Sequence, residues 1–215
     1  MFRWTAYAFL VALFVAAGFA SKTALVDAGV IEPFVAADDS QSGPRIGGPF
    51  ALVDHAGRTV TDQDFRGRIM LVFVGYTFCP DACPTAMQNV SDALDILGPT
   101  ATKVQALFIS IDPERDTPDV LASFVEHFHP SIIGLTGSTD AVRAVARAYR
   151  VQFNKVVVEG APPGDYLMDH SAVVYVVGPD GKFFQNIPHE TAPEVMARRI
   201  SRLLGAEAAA LVVTK

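Results

Sequence analysis

A chain of 215 residues, half of them apolar and 19% charged, has the composition of a folding sequence and excludes an intrinsically disordered one. A formal net charge of −6 with no basic patch excludes a phosphate-backbone partner, because no cationic surface is there to release counterions. The chain has only two cysteines, too few for a disulfide scaffold, so they are either incidental or chemical.

In chain order, the first element is an apolar run. Trp4 to Ala20 carries no charge, with Arg3 before it and Lys22 after it. Its 17 residues sit at the lower limit for spanning a bilayer and are long for a signal-peptide core. Residues 1–22 are read as an uncleaved signal-anchor, the alternative being a signal peptide removed after Ala20, where Gly18 and Ala20 meet the small-residue rule. Arg3 stays cytoplasmic under the positive-inside rule, and either reading sends the remainder across a membrane into an oxidising compartment. Residues 23–45 hold Asp38-Asp39-Ser40-Gln41-Ser42-Gly43-Pro44 without periodicity and are read as a flexible tether. A folded domain is expected over 46–205, followed by an Ala/Val-rich tail over 206–215.

Within the domain, Phe50-Ala51-Leu52-Val53 and Thr59-Val60 predict a hairpin across a glycine turn, and 62–65 a short helix. Ile69 to Tyr76 is a buried strand, followed by a helix with Pro84 in its first turn that Gly98-Pro99 stops. Val104 to Ile111 is a second buried strand, and Thr117 caps a helix running to about Phe128. Ile132 to Leu135 is a third strand, 139–149 a helix, and 151–158 extended. Ala172 to Val177 and Lys182 to Ile187 form a closing hairpin across Gly178-Pro179-Asp180-Gly181, before a final helix over 192–204. Alternation first, then a hairpin and a helix, is the α/β order of a thioredoxin-like domain: a mixed central sheet flanked by helices, here with an N-terminal hairpin extension.

That order puts Cys79-Pro80-Asp81-Ala82-Cys83-Pro84 where the first central strand gives way to its helix. Free N–H groups and the helix dipole favour thiolate there. Redox pairs on this fold are usually spaced Cys-x-x-Cys, whereas three residues separate these two. Residues four apart share a helix face, which suits two sulfurs converging on a common atom, although a disulfide remains possible if the first turn is irregular. In thioredoxin-like reductases a cis-proline precedes the hairpin strand; here that stretch reads Leu167-Met168-Asp169-His170-Ser171, with a histidine in its place. Two thiolates and one imidazole make a three-coordinate soft site that favours Cu(I) and also holds Cu(II) or Zn(II). Copper is preferred, because structural zinc wants a fourth protein ligand.

Three separated motifs in the right order resemble the Sco/SenC family, copper-binding proteins that assist assembly of cytochrome c oxidase. They are Gly75-Tyr76-Thr77-Phe78-Cys79-Pro80-Asp81-Ala82-Cys83-Pro84, then Ile109 to Pro118, then Asp169-His170-Ser171 with Gly178-Pro179-Asp180-Gly181, and the resemblance spans 46–204. It implies that Cys79, Cys83 and His170 bind one copper ion. It also implies a membrane-anchored domain facing the periplasm (or a mitochondrial intermembrane space), delivering copper to the dinuclear centre of oxidase subunit II. Other periplasmic copper carriers or thiol reductants are further partners it implies. The chain is read as a metallochaperone before an enzyme. The alternative is a thiol–disulfide oxidoreductase in which Cys79 and Cys83 are the redox-active pair and reduce the cysteines of that oxidase site. A peroxidase on the same fold lacks a recognisable activating Thr and Arg set.

Plainer readings apply elsewhere. His127 and His129 are two apart and do not share a helix face, so they are read as helix-end surface. His55 and His189 have no partner nearby in sequence. Asp112 to Asp116 is read as a strand-to-helix connection before a cation loop, and Met168 as packing before a soft ligand. Asp169, adjacent to His170 on an extended segment, is expected to point away from it.

Overall fold

The computed structural model describes residues 46–157, 159, 160, 162 and 164–213. The chain runs through strand β1 (Ala51–Asp54), β2 (Thr59–Thr61), a short helical turn (Asp62–Phe65), β3 (Ile69–Gly75), helix α1 (Ala82–Leu97) and a second turn (Gly98–Lys103). It continues through β4 (Val104–Ser110), α2 (Pro118–Val125), β5 (Ile133–Thr136), α3 (Thr139–Ala148), β6 (Phe153–Val156) and β7 (Leu167–His170). It then closes with β8 (Val173–Val177), β9 (Phe183–Pro188) and α4 (Pro193–Val213).

Seven strands form one mixed sheet in the order β2-β1-β5-β4-β3-β8-β9, and β6 and β7 make a separate ladder. β3 and β4 are parallel neighbours, as are β4 and β5, whereas β8 joins β3 antiparallel. Every residue of β3 and β4 is buried, so both faces of the sheet centre are covered, which is why these strands read as continuous apolar runs. The buried Phe73 and Phe108 rings stack across them; burying such a ring is worth about 1.5–3 kcal/mol. The register Gly75↔Ser110 brings the carboxyl ends of β3 and β4 level. A ligand crevice belongs at such ends in an α/β sheet.

α1 buries Met87, Val90, Ala93, Leu94 and Leu97, one stripe at helical spacing, and packs against α4. Gly98, at φ 55°, returns its N–H to Leu94 and Asp95 and ends it. α2 starts at the Thr117 cap, whose hydroxyl accepts from Val120 N–H, and stops at Val125, short of the expected Phe128. Pro130 disfavours helical backbone at His129, whose N–H goes instead to Ser91.

Two further boundaries differ from the sequence reading. α4 continues through Gly205 to Val213 into the expected tail, because Ala206 and Ala208 to Ala210 are strong helix formers. The sequence reading assigns no element to 167–171; His170 ends strand β7, paired antiparallel with β6 in the register Phe153↔His170. No helix among the described residues is long and apolar enough to cross a membrane, and the expected anchor (1–22) and tether (23–45) lie outside those residues.

Candidate metal centre

Beyond Gly75 the chain turns through Tyr76, Thr77 and Phe78 before reaching Cys79, whose N–H donates to the Tyr76 carbonyl at 3.3 Å. This turn is braced from the connection that follows β4. The buried Asp116 carboxylate accepts from Thr77 N–H at 3.0 Å, Thr77 Oγ1 at 2.5 Å and Ser110 Oγ at 2.5 Å. α1 begins only at Ala82, after an N-cap residue, Asp81, with non-helical backbone at φ −144° and ψ −69°. The cysteines therefore do not share a helix face. Cys79 lies in the entry turn and folds back, and Cys83, second residue of the helix, donates its N–H to Cys79 Sγ at 3.4 Å.

The third group arrives on β7. His170 Nε2 is 3.6 Å from Cys83 Sγ, and its Nδ1 is 3.0 Å from the Ser171 carbonyl. A carbonyl only accepts, so Nδ1 donates to it, and Nε2 is the ring nitrogen that faces the sulfurs. The Phe73 and Tyr76 rings meet the imidazole edge-on at 6.3 and 5.8 Å. The ligand atoms of Cys79, Cys83 and His170 all lie within 4.8 Å of one another, the single such group among the described residues. Bonds of about 2.0–2.3 Å from one metal to nitrogen and sulfur put trigonal ligands roughly 3.5–4.0 Å apart, so this donor set fits one soft, three-coordinate ion.

The two thiols are unequal. Cys83 is fully buried, and Cys79 is partly exposed. The hydrogen bond donated by the Cys83 thiol holds Cys79 down to about 3 against the cost of burial, with His170 and the N–H groups of Asp81 and Cys83 adding to the effect. The same hydrogen bond, together with burial, drives Cys83 far up. An incoming metal meets one thiolate and one thiol. The cysteines are free, and their contact also allows a disulfide to form when an external disulfide takes up their two electrons and two protons.

Several contributors were not visible in the sequence. A Cβ on Gly75 would lie 2.7 Å from Cys83 Sγ and 2.9 Å from Phe73, so only glycine lets that sulfur sit against the strand end. Asp112 accepts from Arg115 Nε at 2.5 Å and Tyr166 Oη at 2.6 Å, and the Arg115 guanidinium lies over the Tyr166 and Phe78 rings at 3.6 and 4.6 Å. Asp112 and Asp116 are thus internally satisfied, and the connection is not a cation loop. The spacing of the two acids was the one available signal for this bracing.

The remaining histidines stay outside the site. His129 Nδ1 pairs with Ser131 Oγ at 2.7 Å, His55 Nδ1 accepts from Gly134 N–H at 3.2 Å, and His189 Nδ1 donates to the Ala172 carbonyl at 3.0 Å. His127 joins no metal-binding group among the described residues. Asp169 is exposed, and the imidazole is oriented by Ser171 instead. Met168 is buried against the core.

A SCO1/SenC family profile matches residues 38–205. Protein sco1 of Schizosaccharomyces pombe is 39% identical over 158 residues, covering 73% of this chain and 60% of that protein. The mitochondrial SCO1 homologue of Homo sapiens is 41% identical over 148 residues, covering 65% of this chain and 46% of that protein. The chain thus spans about half the length of these curated relatives. Among solved structures, Bradyrhizobium japonicum ScoI with copper bound superposes with a TM-score of 0.68 at 42% identity, covering 73% of this chain and 98% of that one.

Proposed function

The chain belongs to the SCO1/SenC family, and on that premise we propose that it is a copper metallochaperone, holding one copper ion with Cys79, Cys83 and His170. Its client is the dinuclear copper centre of cytochrome c oxidase subunit II. The observation that carries this reading is the convergence of two sulfurs and one imidazole nitrogen within 4.8 Å, on a fold that the copper-bound ScoI shares. Copper is cargo. The exposure difference gives an order of exchange: an acceptor thiolate reaches the partly exposed Cys79 and His170 first, and the buried Cys83 lets go last. Phe78, next to Cys79 and 54% exposed, offers that acceptor an apolar contact.

The domain over 46–205 works on the periplasmic (or intermembrane-space) side, held there by the 1–22 anchor and the 23–45 tether. Signal cleavage after Ala20 would instead release it. Anaerobic Cu(I) titration of the reduced protein saturates at one equivalent, and His170→Ala weakens affinity at least a hundredfold. Unchanged affinity in that variant would sink the proposal.

A second reading is favoured by the low-lying Cys79 thiolate in contact with Cys83. It has the pair reducing a disulfide at the client's copper site. The two cysteine thiols lose two electrons and two protons and become a disulfide, and the client's disulfide becomes two thiols. In this role His170→Ala retains activity, whereas either cysteine variant abolishes it.

A further inference from the structure

A cleft of about 560 Å³, within the usual size range of small-molecule sites, opens between α3, β6 and the loop after β4. Cys79, Cys83 and His170 do not line it, although Phe153 and Met168 of its lining lie on the β6–β7 pair that carries His170. Its floor is apolar, built from the buried side chains of Ile111, Val142, Ala146 and Met168. Its rim is cationic. Arg143 and Arg147 stand four residues apart on α3, which places them as neighbours on one helix face.

The acids lining the cleft are already engaged. Asp112 is held by Arg115 and Tyr166, and Glu114 by Lys155 at 2.9 Å. Arg143 and Arg147 are exposed and have no ion pair or hydrogen bond among the described residues. What sets these two apart is their place: both stand over an apolar floor. A guanidinium pairs most strongly, and bidentately, with a carboxylate or a phosphate, and it has no lone pair to offer a cation. The floor in turn gains only from an apolar body.

We propose that this cleft binds a small organic anion, its apolar body on the Ile111–Val142–Met168 floor and its carboxylate or phosphate held by Arg143 and Arg147. The test uses the full-length, metal-free chain in nanodiscs with methyl-labelled Ile, Val and Met, titrated with phenyl phosphate and separately with benzoate. Saturable shifts at Ile111, Val142 and Met168 are expected with at least one of the two. Inorganic phosphate and phenol should each bind at least tenfold more weakly than the better probe. The R143Q/R147Q double variant should lose at least tenfold in affinity. R198Q/R199Q, which removes the same charge from the exposed face of α4, should lose less than twofold. The absence of shifts, shifts elsewhere, equal binding of inorganic phosphate, or equal losses in the two double variants would each overturn the proposal.

Discussion

Gly75→Ala is the sharpest perturbation of the metal centre, because it adds one methyl and no charge. The new Cβ would sit 2.7 Å from Cys83 Sγ, 2.9 Å from Phe73 Cε1 and 3.3 Å from Phe108 Cε2. Ordinary contact begins at 3.4 Å, so the sulfur must retreat by 3.4 − 2.7 = 0.7 Å unless the strand moves. Neither ring has room to yield, since Phe73 and Phe108 are at most 1% exposed. Overpacking of this kind costs about 1–3 kcal/mol, or roughly 2–12 °C in the midpoint of a domain this size. A metal tolerates ligand displacements of about 0.2 Å, so Cu(I) affinity should fall about 10–100-fold, as when a supporting group is lost. The control is Gly134→Ala, whose Cβ would crowd Leu121 at 3.1 Å and Val125 at 3.2 Å, with no sulfur involved. Thermal unfolding of the reduced, metal-free proteins should show both variants destabilised. Competitive Cu(I) titration against a chromophoric chelator should show only Gly75→Ala impaired. If Gly75→Ala bound copper within twofold of wild type, the close packing of Cys83 against the strand end would not be what sets the site.

With Cys79 depressed to about 3 by the Cys83 hydrogen bond, its alkylation rate by iodoacetamide should stay flat from pH 8 to 5, where an ordinary thiol slows tenfold per unit. Cys83→Ala removes the leading cause and should restore that slope. Because Cys83 is pushed up and keeps its proton until metal displaces it, Cu(I) affinity should rise with pH near neutrality, with Cys83 contributing about one decade per unit; a flat profile would refute this. Asp116→Ala strips three hydrogen bonds from the cysteine turn and Ser110, and denaturant unfolding should show a loss of about 2–4 kcal/mol. Burial raises the Asp116 carboxyl above 3.8, so the folded state binds that proton before the unfolded chain does as pH falls. The deficit of the variant should therefore widen on acidification towards 3.8. Phe78→Ser should leave Cu(I) affinity unchanged and weaken complex formation with the acceptor about tenfold, as loss of an exposed aromatic anchor does; equal transfer kinetics would count against that contact.

Much of this fold was legible because its centre is simple. β3 and β4 are apolar throughout, Gly98 stops α1, and Thr117-Pro118 starts α2; each signal is local and has one physical meaning. β7 was not legible. It has four residues, of which only Met168 is buried, and among the described residues it pairs with β6 alone. Such a short ladder is held by its neighbours, including the Tyr76 ring against His170, and not by its own pattern. The Gly75–Cys83 packing and the Asp116 brace were hidden for the same reason: both join residues whose proximity is created by the sheet register.

The cysteine spacing shows how a correct convergence can rest on a different cause. Positions four apart meet on a helix, and these sulfurs do meet, yet Cys79 precedes the helix and Asp81 breaks its geometry. The separation matters because it makes the ligands unequal. Two sulfurs on one helix face would share similar exposure. A turn followed by the second helical residue leaves Cys79 partly open beside Phe78 and seals Cys83 against Gly75 and Phe73. His170 then enters on a strand pair outside the main sheet. A site built this way has one enclosed sulfur and two donor groups nearer the surface, so a soft ion held by all three would keep an open side.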